Sequence, residues 1–287
     1  MVQKDKNMNW RRRDFLAASA ATASLATAGC DRELHPVFAL PDTGLDFPGS
    51  AGVRHTMRFR FTQPLAIYPA TYIWRARPQR QSGYYTAFFW GNDDGQDDLR
   101  TFLWTRQGTA DAYYGAHPYP QPAPAGSDHR WEISILQKDL LGAPVDYDRW
   151  YVQGFRAWAS PLGKHHEFYW DLPFTNAPHR IIFTAPAQWG NASPPQPTLT
   201  WGDAPWAPGN EVWHGVLSGF QIYQACLSVD DMNLEARVPG STRVGRQSLW
   251  YLNTNPTPGD ISDHSGREHH PEWVGSERPT LWTRAPY

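Results

Sequence analysis

The chain has 287 residues, 26 Lys and Arg against 28 Asp and Glu, and an aromatic content of 14% that includes 15 Trp. A slightly acidic balance argues against nucleic acid as a partner, since phosphate binding draws on clustered Lys and Arg. Two cysteines, Cys30 and Cys226, exclude a disulfide-dense scaffold, and no CxxCH or paired CxxC supports a haem or zinc-ribbon site.

The first predicted element is a leader over residues 1–30. Arg11-Arg12-Arg13-Asp14-Phe15-Leu16 is followed by an uncharged run of Ala, Ser, Thr and Leu ending at Ala28-Gly29-Cys30. A basic start, an apolar middle and a small-residue exit make an export signal. The apolar run, Phe15 to Ala28, is about two-thirds the length of a bilayer span. The Arg-Arg-x-Phe-Leu core resembles twin-arginine signals, which implies export of an already folded domain. Cys30 stands where a lipoprotein signal places its modified cysteine, although Leu25 lies five residues before it and not three. Two outcomes stay open: lipidation of Cys30, or cleavage nearby with Cys30 incidental. The expected location is the periplasm, free or membrane-anchored through that lipid. Without the leader the formal charge moves from −2 to about −5. With Cys30 lipidated no intramolecular disulfide is possible, and stability must come from packing.

Residues 31–44 read as a tether. Strands follow in close succession. Met57-Arg58-Phe59-Arg60-Phe61-Thr62 alternates apolar and polar, predicting one buried and one wet face. Thr71 to Ala76 and Tyr84 to Trp90 are β-branched and aromatic. Asn92-Asp93-Asp94-Gly95 is a turn. Thr101 to Trp104 and Trp131 to Ile135 continue the series around a loop from His117 to Ser127, too rich in proline for a sheet interior. Trp150 to Trp158 and Glu167 to Leu172 form a pair joined by Ser160-Pro161-Leu162-Gly163. Arg180 to Phe183 and Thr198 to Trp201 flank a second proline-rich loop. Val216 to Leu227 is predicted as a last long strand, with Phe220 and Ile222 on one buried face by the two-residue period. Ser228 to Glu235 reads as a short helix capped by Ser228 or Asp230.

This order of features resembles the laminin-G-like, concanavalin A-like jelly rolls. Leu45-Asp46-Phe47-Pro48-Gly49-Ser50 is similar to their opening, and Gly215 to Ser228, with its short acidic helix, to their closing strand. The resemblance covers residues 45–236. It implies an all-β, antiparallel two-sheet jelly-roll sandwich, with residues 237–287 as a loop-rich, Trp-rich C-terminal extension packed on it. Trp250, Trp273 and Trp282 are the expected anchors. That fold hosts lectins, carbohydrate-binding modules, glycoside hydrolases and polysaccharide lyases, so function must be argued from the site.

Several groups compete for that role. Glu167 and Asp171 lie about 13 Å apart along a strand, too far for paired-carboxylate glycoside hydrolysis. Arg156, His165 and His166 beside Tyr169 supply the groups of a lyase, or of a glycan contact. Tyr113, Tyr114 and Tyr119, in a loop from Asp111 to Tyr119 without core-like alternation, and Trp206 are sugar-stacking candidates. Asp93, Asp94, Asp97 and Asp98 cluster about Gly95 as oxygen ligands for calcium, or as a solvated turn. A second acidic turn spans Asp260 to Gly266, and Glu268, His269, His270 and Glu272 could hold a transition metal. Cys226 reads as a buried small apolar residue. The expected function is glycan binding without catalysis. A lyase or hydrolase with an unrecognised site, and a protein-binding scaffold, are the alternatives.

Overall fold

The computed structural model describes residues 43–50, 52–65, 69–90, 99–105, 112–118, 133–136, 145–147, 149–171, 173–174, 180–185, 196–204, 207–253, 262–263, 271–274 and 280–282. The chain divides into two compact units, Met1–Pro36 and Val37–Tyr287, and every described residue lies in the second. The leader, Cys30 included, therefore lies outside the described residues.

Sixteen strands and two short helices are described in this unit. The strands are β1 (Gly44–Pro48), β2 (Thr56–Leu65), β3 (Ala70–Pro78), β4 (Gly83–Trp90), β5 (Leu99–Thr105), β6 (Ala112–Pro118), β7 (Ile133–Leu136) and β8 (Tyr151–Ser160). They continue with β9 (Gly163–Tyr169), β10 (Arg180–Ala185), β11 (Gln196–Trp201), β12 (His214–Tyr223), β13 (Leu249–Asn253), β14 (Ser262–Asp263), β15 (Pro271–Val274) and β16 (Thr280–Trp282). The helices are α1 (Val229–Glu235) and α2 (Arg243–Ser248).

One sheet runs β10-β9-β8-β3-β12-β1-β16, with β13 also on β12 and β14 on β13; the other runs β15-β2-β11-β4-β5-β6-β7. The neighbouring strands pair antiparallel, as in β1 on β12 and β8 on β9. The architecture is an all-β, two-sheet jelly-roll sandwich. Its opening and closing segments are direct partners, since Leu45 faces Leu217 and Phe47 faces Gly215.

The core between the sheets is aromatic. Phe220 is its hub, stacked on Trp201 at 5.5 Å and meeting Phe88 at 5.4 Å, Tyr72 and Trp74 at 6.3 Å, and Trp250 at 6.5 Å. Phe220 and Ile222 are both fully buried in this cluster. Aromatic pairs at these separations add edge and stacking terms to their area burial.

A second apolar cluster lies on the outer face of the first sheet, where Ile73, Tyr169, Tyr223 and Tyr251 meet Leu227, Met232 and Ala236. Helix α1 covers this face. Its cap is Ser228, whose Oγ accepts from the Asp231 amide at 3.0 Å. Close approach requires a glycine on β8: a Cβ at Gly154 would stand 2.7 Å from Met232 Cε and 3.0 Å from Phe174 Cζ. With cover on both sides, β12 is buried along almost its whole length.

Four expectations are corrected. The strand predicted to end at Leu227 ends at Tyr223, because the Thr71 hydroxyl donates to Ala225 O at 2.7 Å and accepts from Leu227 N at 3.0 Å in place of a ladder. It is also not the last strand. β12 changes neighbour at Gly219, whose φ of 56° suits glycine and whose position breaks the register on β3. Before that point β12 borders β1; beyond it, β13 pairs Trp250 with Ile222. β15 and β16 then join β2 and β1, so the segment after residue 237 adds edge strands to both sheets. Arg58, expected on a wet face, is buried where β15 borders its strand and sets Glu272 opposite it.

The remaining correction concerns residues 112–118, expected as loop. They form β6, held along its whole length by β5 and by β7. Two flanking ladders outweigh a sequence without alternation, because β-propensity measures fit to neighbours more than an intrinsic preference.

Candidate functional site

The β8–β9 hairpin carries the most developed surface arrangement. Its strands pair from Gly154–Tyr169 through Arg156–Glu167 and Trp158–His165 to Ser160–Gly163. Phe155 and Ala157 are buried in the core, so the alternate positions 156, 158 and 160 belong to the outer face. Only Pro161 and Leu162 form the turn, and Leu162 stands 82% exposed at its tip. The Leu162 amide donates to Ser160 Oγ at 3.1 Å, which fastens the turn.

Along this outer face the side chains interlock. Trp158 and His165 stack with ring centroids 4.9 Å apart and planes at 17°. His165 Nε2 and Ser160 Oγ are 2.7 Å apart. The Arg156 guanidinium lies 5.4 Å from the Trp158 ring centre and 5.8 Å from that of Tyr169. Arg156 Nε donates to Glu167 Oε2 at 2.6 Å, its Nη2 ion-pairs with the same oxygen, and Nη1 donates to Leu227 O at 2.8 Å. The Tyr169 hydroxyl donates to that same Glu167 Oε2 at 2.5 Å. Cys226 sits half-buried beside this group; burial pushes its thiol up, and Arg156 only partly offsets that. Such a thiol is a poor nucleophile.

This geometry sorts the sequence candidates. Arg156 and His165 are brought together, as neighbours of one aromatic stack. His166 pairs in register with Ala157 on the same hairpin. Tyr169 is fully buried and its hydroxyl is bound to Glu167, so it offers no exposed base for a lyase step. Glu167 pairs with Arg156, while Asp171, past the end of β9, pairs with Arg149 at 2.7 Å. Neither carboxylate is set opposite the other as hydrolysis would need.

Tyr113 and Tyr114 lie on β6, in register with Trp104 and with the core residue Leu103 respectively. Tyr119, Trp206, Asp93, Asp94, Asp97, Asp98 and Cys30 lie outside the described residues, as do Asp260, His264, Glu268, His269 and His270. Among the described residues no group of three or more His, Cys, Asp or Glu converges as metal ligands do. Asp203, three residues before Trp206 in the sequence, is fully buried and closes its own loop: Oδ1 accepts from Ala204 N at 2.8 Å and Oδ2 from Gly209 N at 3.0 Å. Burial raises its pKa to about 7, against the two amide bonds and Arg54, which lower it.

Trp158 and Ser160 are the site residues that sequence reading passed over. The signal was available, since Trp158 and Ser160 share the parity of Arg156 and alternate with core positions. What no pattern could give is the cross-strand partner, His165.

No protein-family model matches the chain, and no curated protein matches its sequence. Solved structures do. The heptameric SAP-like pentraxin of Limulus polyphemus superposes with a TM-score of 0.53 at 15% identity, over 85% of this chain and 96% of that one. A protein of Bacteroides ovatus, provisionally assigned to carbohydrate binding, gives 0.55 at 13% identity, over 86% of this chain and 61% of that one. At such identities the likeness shows the fold alone: an all-β jelly-roll sandwich.

Proposed function

We propose that this protein binds glycans through the outer face of the β8–β9 hairpin. The observation that carries the reading is the half-exposed Trp158, held against His165 and bordered by Ser160 and Arg156. Sugars offer apolar faces to aromatic rings and hydroxyls to adjacent polar groups. A fastened turn keeps the arrangement preorganised, which lowers the ordering cost of binding. The two superposed structures support the reading at the level of fold.

A glycan array with wild type and Trp158→Ala tests it. Binding that falls at least tenfold in the variant, with no product released, is the expected result. Release of unsaturated or shortened sugars would establish an enzyme in place of a binding protein. An absence of any glycan binding would favour the scaffold reading. Repeating the array with EDTA tests whether calcium takes part.

We further propose export by the twin-arginine route. The support is the sequence of residues 11–30. Replacing Arg12 and Arg13 with Lys should trap folded precursor in the cytoplasm, because the arginine pair is read by a receptor. Unchanged export would remove the proposal. Mass analysis of the membrane fraction for a diacylglyceryl adduct on Cys30 decides between a lipid anchor and plain cleavage.

A further inference from the structure

We infer that the hairpin face selects uncharged sugars over uronates, sialic acids and sulfated glycans. The inference rests on the glycan-binding reading and concerns the same site. Its basis is the state of Arg156, the cation that an acidic sugar would seek.

All three guanidinium nitrogens of Arg156 are engaged. Nε and Nη2 both meet Glu167 Oε2, and Nη1 meets Leu227 O. The side chains of Arg156 and Glu167 are only 15% and 7% exposed. An incoming carboxylate or sulfate would have to compete with Glu167 for the guanidinium, and displacing it would leave a nearly buried carboxylate without its cation and the Tyr169 hydroxyl bond disturbed. It would also meet a like charge at close range.

Just before β8, Arg149 is paired with Asp171. His165 directs Nε2 at Ser160 Oγ. The face thus offers aromatic surface, an exposed Leu162 and hydroxyl chemistry, with its strongest cation already neutralised. That set fits the apolar face and hydroxyl rim of a neutral pyranose.

Titration calorimetry at low and high salt would compare neutral oligosaccharides (gluco-, galacto-, manno- and xylo-series) with acidic ones (polyuronate, sialylated and sulfated). Wild type, Trp158→Ala and Trp158→Phe would be measured, with melting curves to confirm folding. The expected result is binding of a neutral series, unchanged in salt, lost tenfold or more in Trp158→Ala and largely kept in Trp158→Phe. Acidic glycan binding that weakens in salt and is lost in Trp158→Ala overturns the selectivity and leaves the glycan-binding reading standing. Binding of either class untouched by both variants overturns the site. Failure to bind any member overturns the glycan-binding reading itself.

Discussion

At the scale of single residues, two carboxylates illustrate opposite solutions to burial. Glu167 keeps a cation and a hydroxyl on one oxygen, so it is compensated as it leaves water. Asp203 has two backbone amides and the charge of Arg54 to favour its ionised form, and desolvation wins, lifting its pKa to about 7. The unfolded chain releases this proton near 4. Between those values the folded protein holds the proton more tightly than the unfolded one. The contribution to stability is therefore fully present below pH 4 and is lost as pH rises through about 7. Melting temperature should fall between about pH 4 and pH 7 on account of this group. Asp203→Asn should flatten that part of the profile, and identical pH profiles for the two proteins would refute the assignment. Removing the other carboxylate's charge has a different signature: Glu167→Gln leaves Arg156 nearly buried and uncompensated, and should cost on the order of 3 kcal/mol in denaturant unfolding.

At the scale of elements, β12 and the β8–β9 hairpin divide structure from surface. Ile222 is fully buried, and Ile222→Ala should destabilise by about 2–5 kcal/mol. Leu162→Ala, at the exposed tip, should change stability by less than about 0.5 kcal/mol. Urea unfolding of both variants checks the contrast, and a comparable loss at Leu162 would mean that the hairpin tip carries structural weight. Helix α1 depends on its cap: Ser228→Ala removes the acceptor for the Asp231 amide and should cost about 1 kcal/mol. Buried Glu235, at the other end of α1, ties three parts together by accepting from Tyr223 Oη at 2.9 Å, Gly240 N at 2.5 Å and Thr242 N at 2.6 Å.

At the scale of the whole molecule, the C-terminal strands close the sandwich. β13 and β16 border β12 and β1 in one sheet, and β15 borders β2 in the other. Trp250 lies fully within the aromatic core. Truncation after Pro239 should expose strand edges in both sheets, lower the melting temperature and create dye-binding apolar surface. A truncated protein that melts like the full chain would show these strands to be dispensable. What the sequence by itself determined is the part written in local chemistry. Alternating and aromatic runs located most strands, Ser228 announced its helix, and the bracketing segments at residues 45–50 and 215–228 announced the sandwich. Only the tertiary structure decided the rest. β6 exists because two neighbours pair with it, β12 ends where Thr71 takes over its backbone, and β13 enters where Gly219 bends the strand. The candidate site belongs to this second class. Arg156 and His165 were visible as residue types, but their partners Glu167 and Trp158 are set by cross-strand register. Register is a property of two strands together, and neither strand's sequence contains it alone.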